Sequence, residues 1–144
     1  MNREILFRGQ TRKRGEKVRM DGTPVDGNWV YGGIFIGEGD FSIIYSSDPV
    51  EKHVVYTDTV GQYTGLTGKN GVKIFEGDVV HCTSRTDRAD MVVIFEEGEF
   101  RMVLTEKYRT YETGGGFFCI RCFDKEVIGN VHDNPELMGG EDDG

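Results

Sequence analysis

A chain of 144 residues and 16.2 kDa has room for one domain with a core of its own, held without metal or disulfides. Twenty-one glycines against a single alanine, Ala89, disfavour long helices and suit short strands joined by tight turns. The net charge of −8 disfavours non-specific nucleic-acid binding over the whole surface, although residues 1–20 alone carry +5 and leave −13 for the rest.

In chain order, Ile5 to Arg8 reads as a first short strand. Gly9 to Lys17 is too polar for a core, and Val18 to Met20 can pair back as a second strand. Asp21-Gly22-Thr23-Pro24 and Asp26-Gly27 are turn chemistry. Trp29-Val30-Tyr31 begins a strand that runs through Ile34-Phe35-Ile36, and Gly32-Gly33 inside it predicts a bulge or a close backbone approach. Gly37-Glu38-Gly39-Asp40 turns the chain into Phe41 to Tyr45. Ser46 to Glu51, with Pro49, reads as a loop, and His53 to Tyr56 as an edge strand.

The most legible stretch is Thr59 to Cys82, with five glycines where the chain can reverse. Asn70-Gly71 is the strongest short hairpin signal, because a type I′ turn demands positive φ at both central residues. Gly77-Asp78 is the next break and opens the strand Val79 to Cys82. Thr83 to Arg88 is a polar loop. Met91 to Phe95 and Glu99 to Leu104 form a hairpin reversed at Glu96-Glu97-Gly98, with Phe100, Met102 and Leu104 on one face. Thr105 to Thr113 is a short helix or a loop. Phe117 to Phe123 reads as one strand and Glu126-Val127-Ile128 as another. Asn134 and Pro135 suit the N-cap and first position of a short closing helix to Met138, and residues 139–144 form an acidic, disordered tail.

Three groups of residues invite a functional reading. Arg8, Arg12, Lys13, Arg14, Lys17 and Arg19 can grip phosphates, with Phe7 and Trp29 for stacking, or they are a solvated hairpin tip. Cys119-Ile120-Arg121-Cys122 and His81-Cys82 offer zinc ligands by type. Residues three apart on an extended strand point to opposite faces, however, and no glycine between the thiols supplies a turn, so ordinary thiols and no metal are expected. Gly65-Leu66-Thr67-Gly68-Lys69-Asn70 has the glycines of a phosphate loop without its Gly-Lys-Ser/Thr ending, and an Asn-Gly hairpin explains it better. His53, His81 and His132 are far apart, no serine has a nucleophile-elbow context, and Asp78 reads as a turn residue beside Gly77. No catalytic constellation or cofactor site emerges.

No apolar run approaches the ~18 residues of a membrane helix. The start, Met-Asn-Arg-Glu-Ile-Leu-Phe-Arg, lacks the apolar stretch of a secretion signal, and three cysteines make a poor disulfide framework. A cytoplasmic, reduced protein is expected.

Several segments taken together resemble the YopX family of phage and prophage proteins. They are Arg3-Glu4-Ile5-Leu6-Phe7-Arg8, Trp29-Val30-Tyr31-Gly32, Thr59-Val60-Gly61-Gln62-Tyr63-Thr64-Gly65-Leu66, Lys69-Asn70-Gly71, Ile74 to Val80, Val127-Ile128-Gly129-Asn130 and Asn134-Pro135-Glu136-Leu137. The resemblance covers nearly the whole chain except the acidic tail. It implies an all-β fold whose second half is a small barrel, a phage gene expressed in a bacterial cytoplasm, and no catalytic residue to carry over. Its central signature places Gly61, Gln62, Tyr63, Gly65, Asn70, Gly71, Gly77 and Asp78 as architectural residues.

The expected molecule is therefore one all-β domain over residues 1–138. An N-terminal antiparallel sheet (about 1–58) packs on an SH3-like barrel half (about 59–131), with minimal helix. Unpaired strand edges and many aromatics predict a homo-oligomer. The expected function is non-enzymatic binding of a host or phage protein, by strand addition or an aromatic patch. The alternative is nucleic-acid binding by the basic start.

Overall fold

The computed structural model describes residues 4–11, 29–47, 50–108 and 117–139. The chain is all-β; among the described residues strands are joined by short turns and single 3-10 turns, and the chain divides into two units at Tyr63/Thr64. Among the described residues no helix is long and apolar enough to cross a membrane, which says nothing of membrane crossing by strands.

The first unit contains β1 (Phe7–Gln10), β2 (Trp29–Phe35), β3 (Phe41–Ser47), β4 (Val50–Tyr56) and the start of β5 (Gly61–Thr67), antiparallel in the order β4-β3-β2-β1-β5. Alternation is strict in β3, where Ser42 and Ile44 are buried while Phe41 and Tyr45 are exposed. Gly9 lies on Val55: a Cβ there would come within 2.8 Å of Val55 Cγ2. A bridge from Thr11 to Val55 brings the end of β1 to β4, so these four strands coil back on themselves.

Several boundaries differ from expectation. β1 runs on through Gln10, a polar residue that is nonetheless buried, because its N–H donates to Thr59 Oγ1 at 2.9 Å. The expected loop Ser46 to Glu51 is almost all strand, since β3 runs to Ser47 and β4 starts at Val50. Seven consecutive cross-strand pairs, Phe41 with Tyr56 through Ser47 with Val50, outweigh the polar composition there. At Gly32 the close approach is real: a Cβ would stand 1.9 Å from the Tyr45 carbonyl oxygen. The expected strand Val18 to Met20 and its flanking turns lie outside the described residues, as does the tail beyond Gly139.

The second unit holds the end of β5, β6 (Lys73–Phe75), β7 (Asp78–Thr83), β8 (Arg88–Glu96), β9 (Glu99–Leu104), β10 (Phe117–Cys119) and β11 (Asp124–Asn130). Its five-stranded antiparallel sheet has the order β10-β9-β8-β7-β11. Ile74, Val80, Cys82, Met91, Val93, Met102 and Leu104 form its core. Asn70-Gly71 reverses the chain between β5 and β6 with φ of 63° and 74°, as a type I′ turn requires. The N–H groups of Gly71 and Val72 donate to Gly68 O and Lys69 O, the i to i+3 bonding of a 3-10 turn, although Asn70 is not helical in φ and ψ. The hairpin of β8 and β9 is tighter than expected. Glu96 pairs with Glu99, and only Glu97 and Gly98, both at positive φ, make the turn.

The largest correction concerns Phe117 to Phe123, which is not one strand. β10 ends at Cys119, and the N–H of Cys122 donates to Cys119 O at 3.0 Å to close a β-turn. No glycine makes this reversal: Phe123 itself adopts φ 72°, its ring set edge-on to Phe118 at 5.8 Å. Lys125 Nζ donates to the Phe123 carbonyl at 3.1 Å and secures the bend. This turn joins the two outermost strands of the sheet. Outer strands of a flat five-stranded sheet lie ~19 Å apart, whereas a hydrogen-bonded β-turn spans under ~7 Å between its end Cα atoms and the two steps from Cys122 to Asp124 add at most ~7 Å more. The sheet is therefore strongly curled.

At the C-terminal end Pro135–Leu137 is a single 3-10 turn with Asn134 at its N-cap position. Asn134 does not cap it. Its Oδ1 instead accepts the N–H of Asn130 at 3.2 Å, while Asn130 Oδ1 accepts the N–H groups of His132 and Asp133.

Candidate functional site

Paired residues of adjacent strands point to the same face, so register alone assigns the two faces of β2, β3 and β4. Gly33 opposes Tyr45, which opposes Lys52; Phe35 opposes Ile43, which opposes Val54; Phe41 opposes Tyr56. These residues and Tyr31 share one face, while Ser42, Ile44 and Val55 occupy the other and are buried. The first face meets solvent although it is largely apolar and aromatic. Phe35 is 61% exposed, and Tyr31, Phe41, Tyr45 and Val54 are each at least 40% exposed. The Phe41 and Tyr56 rings pack at 5.4 Å, which holds one end of the row in place. Val50, at the start of β4, is 85% exposed. The sequence showed aromatic strands here, but only the register reveals that the aromatics lie on the face opposite the buried one.

Arg8 borders this face, because it pairs with Tyr31. It is buried, and its guanidinium carbon lies 4.6 Å from the centroid of the Trp29 ring. Of the residues suggested for nucleic-acid contact, the structure thus brings Arg8 and Trp29 together, stacked on each other. Arg12, Lys13, Arg14, Lys17 and Arg19 lie outside the described residues.

A second feature, in the other unit, was not foreseen. His81 on β7 opposes Asp90 on β8, and Nδ1 lies 2.7 Å from Asp90 Oδ1. The carboxylate fixes the ring orientation. His81 lines an open cleft of about 690 Å3 with Thr67, Lys69, Thr83, Lys125 and Glu126. Nine residues separate the two partners, and only the strand pairing shows that they meet. Among the described residues no group of three or more His, Cys, Asp or Glu side chains could hold a metal.

The signature residues serve the backbone. Gly61 and Gln62 pair with Arg8 and Phe7, and the N–H of Tyr63 donates to Leu6 O at 2.8 Å. Gly65, Gly71 and Gly77 all have positive φ, as does Asn70. Asp78 is 1% exposed, and its Oδ2 accepts the N–H of Phe75 at 2.7 Å across the Glu76-Gly77 turn.

The three thiols divide sharply. Cys82 is buried, and desolvation pushes its thiol up to about 11. Cys119 and Cys122 are exposed at the turn between β10 and β11.

No curated protein matches the chain. Among solved structures it is similar to protein EF1440 from Enterococcus faecalis, at 20% identity and a TM-score of 0.47, covering 96% of this chain and 100% of that one. The family described as YopX protein matches residues 36–139, which include β3 to β11 and all eight signature positions. The chain belongs to the YopX family.

Proposed function

We propose that this is an accessory protein of a phage or prophage, acting in the bacterial cytoplasm to bind a host or phage protein, and that it is not an enzyme. What supports this reading is the exposed row Tyr31, Phe35, Phe41, Tyr45 and Val54 on β2, β3 and β4. A sheet face meant only for water carries polar residues at such positions. Tyr and Phe are the side chains enriched where protein interfaces are driest. The partner that fits is a protein with an exposed apolar surface of its own. Self-association through strand edges belongs to the same reading, as does an SH3-like form for the curled second sheet. In this reading the His81–Asp90 pair braces β7 against β8.

The second reading, nucleic acid bound by the basic start, draws on the +5 charge of residues 1–20. With Arg8 buried on Trp29, its phosphate contacts fall to Arg12, Lys13, Arg14, Lys17 and Arg19.

The test places a photo-crosslinking residue at Phe35 or Tyr45, and at Arg85 as a control, in bacteria carrying the phage. One discrete adduct with a different protein from positions 35 and 45, absent from 85, supports the proposal. An adduct formed only with a second copy of the chain replaces the foreign partner by self-association. No adduct, together with low-salt DNA or RNA binding lost on changing Arg12, Lys13 and Arg14 to Ala, overturns it in favour of the second reading.

A further inference from the structure

We infer that Cys119 and Cys122 form a dithiol site that a low-molecular-weight disulfide converts, reversibly, into an intramolecular disulfide across the β10–β11 turn. The geometry supports it in three ways. First, the two cysteines are the end residues of a β-turn closed by the Cys122 N–H to Cys119 O bond of 3.0 Å. Such ends lie under ~7 Å apart, which overlaps the window of about 4.4–6.8 Å between Cα atoms that a disulfide needs. Second, both thiols are exposed, so a small disulfide reaches them without any opening of the core. Third, the turn is anchored on both sides. Phe118 and Phe123 meet edge-to-face, and Cys119 itself is paired with Arg101 on β9.

The electrostatics give the two sulfurs an order of attack. The backbone N–H of Arg121 points at Cys119 Sγ at 3.4 Å. That bond, with smaller help from Cys122 and the Arg121 charge, holds the Cys119 thiol below its ordinary value. Cys119 is thus the attacking thiol and Cys122 the resolving one. The Cys119 thiolate attacks one sulfur of the small disulfide and expels one thiolate, leaving a mixed disulfide on Cys119. The Cys122 thiolate then attacks the Cys119 sulfur and expels the second thiolate. Two protein thiols lose two electrons and two protons in all, and the small disulfide becomes two thiols. Cys82 stays outside this chemistry, buried with its Sγ 3.8 Å from Met102 Sδ.

The experiment incubates reduced full-length protein with glutathione and glutathione disulfide over a range of ratios. Acid quenching, alkylation and peptide mass mapping follow. The expected product is an intramolecular Cys119–Cys122 link, two hydrogens lighter, with Cys82 alkylated as a free thiol and full reversal by dithiothreitol. Cys122→Ser is expected to accumulate glutathione on Cys119 at least about tenfold above wild type, because the resolving thiol is gone. The inference is overturned if wild type accumulates the same mixed disulfide as Cys122→Ser. Linkage only between chains overturns it too, as do two free thiols at ratios that modify the variant. The substitution is at an exposed position, and a far-UV spectrum matching wild type confirms that the variant is folded.

Discussion

Asp78 and Phe75 are joined across the Glu76-Gly77 turn by a 2.7 Å bond from the Phe75 N–H to the Asp78 carboxylate, and both residues are buried. The adjoining glycine is tied in twice more. The Gly77 N–H donates to Val93 O at 2.8 Å, and its carbonyl accepts the Val131 N–H at 2.9 Å. Removing the carboxylate strands a buried donor. Asp78→Ala is expected to lose about 2–3 kcal/mol in urea unfolding, and Asp78→Asn about 1 kcal/mol, since the amide keeps an acceptor oxygen. Equal losses in the two variants would show that the bond carries little of the effect.

Gly32 and Gly33 provide a matched pair. A methyl group at Gly32 meets the Tyr45 backbone oxygen at 1.9 Å, and one at Gly33 meets nothing within 4 Å. Gly32→Ala must push β2 from β3, and a loss of roughly 3 kcal/mol or more is expected. Gly33→Ala should stay within about 0.5 kcal/mol of wild type. Chemical denaturation of both variants decides this, and similar midpoints would refute the close approach.

The aromatic face and the face behind it respond oppositely to truncation. Phe35→Ser removes an exposed ring and is expected to change stability by no more than about 0.5 kcal/mol while weakening partner capture at least about tenfold. Ile44→Ala, at 0% exposure, is expected to cost about 2–5 kcal/mol. A large stability loss in Phe35→Ser would assign that ring to the core.

Cys82 makes stability fall at alkaline pH. Its folded value of about 11 lies above the ordinary 9.0, so between those values the unfolded chain releases a proton that the folded chain retains. Its contribution is whole below pH 9, declines as pH rises, and is lost above about 11, a change on the order of 3 kcal/mol. Unfolding of wild type and Cys82→Ala compared between pH 8 and 11 isolates it from tyrosine and lysine titration. A constant difference across that range would refute it.

Turns and class were legible in this sequence because they depend on local chemistry. Asn70-Gly71 reverses the chain with the positive φ values its residue types allow, and Gly77 does the same before β7. Features set by non-local pairing were not legible. The polarity of Gln10 concealed a strand end, because its partner hydroxyl, on Thr59, lies 49 residues away. The Cys119–Cys122 turn has no glycine to mark it, since Phe123 takes the left-handed conformation that tertiary packing supports. His81 and Asp90 carry no motif at a spacing of nine, and the aromatic face emerges only from the register of β2, β3 and β4.

The strand order β10-β9-β8-β7-β11 also bears on the sequence of events during synthesis. β7, β8 and β9 form a meander of neighbours that can pair as each leaves the ribosome. The outer edge of β7 must wait for β11, whose first residue, Asp124, follows Thr83 by 41 positions. Through that interval β7 presents an unsatisfied ladder beside the apolar side chains of Val79 and Val80. Closing it is the slow, non-local step of this unit, and a growing chain is most open to foreign strands just before its last strand arrives.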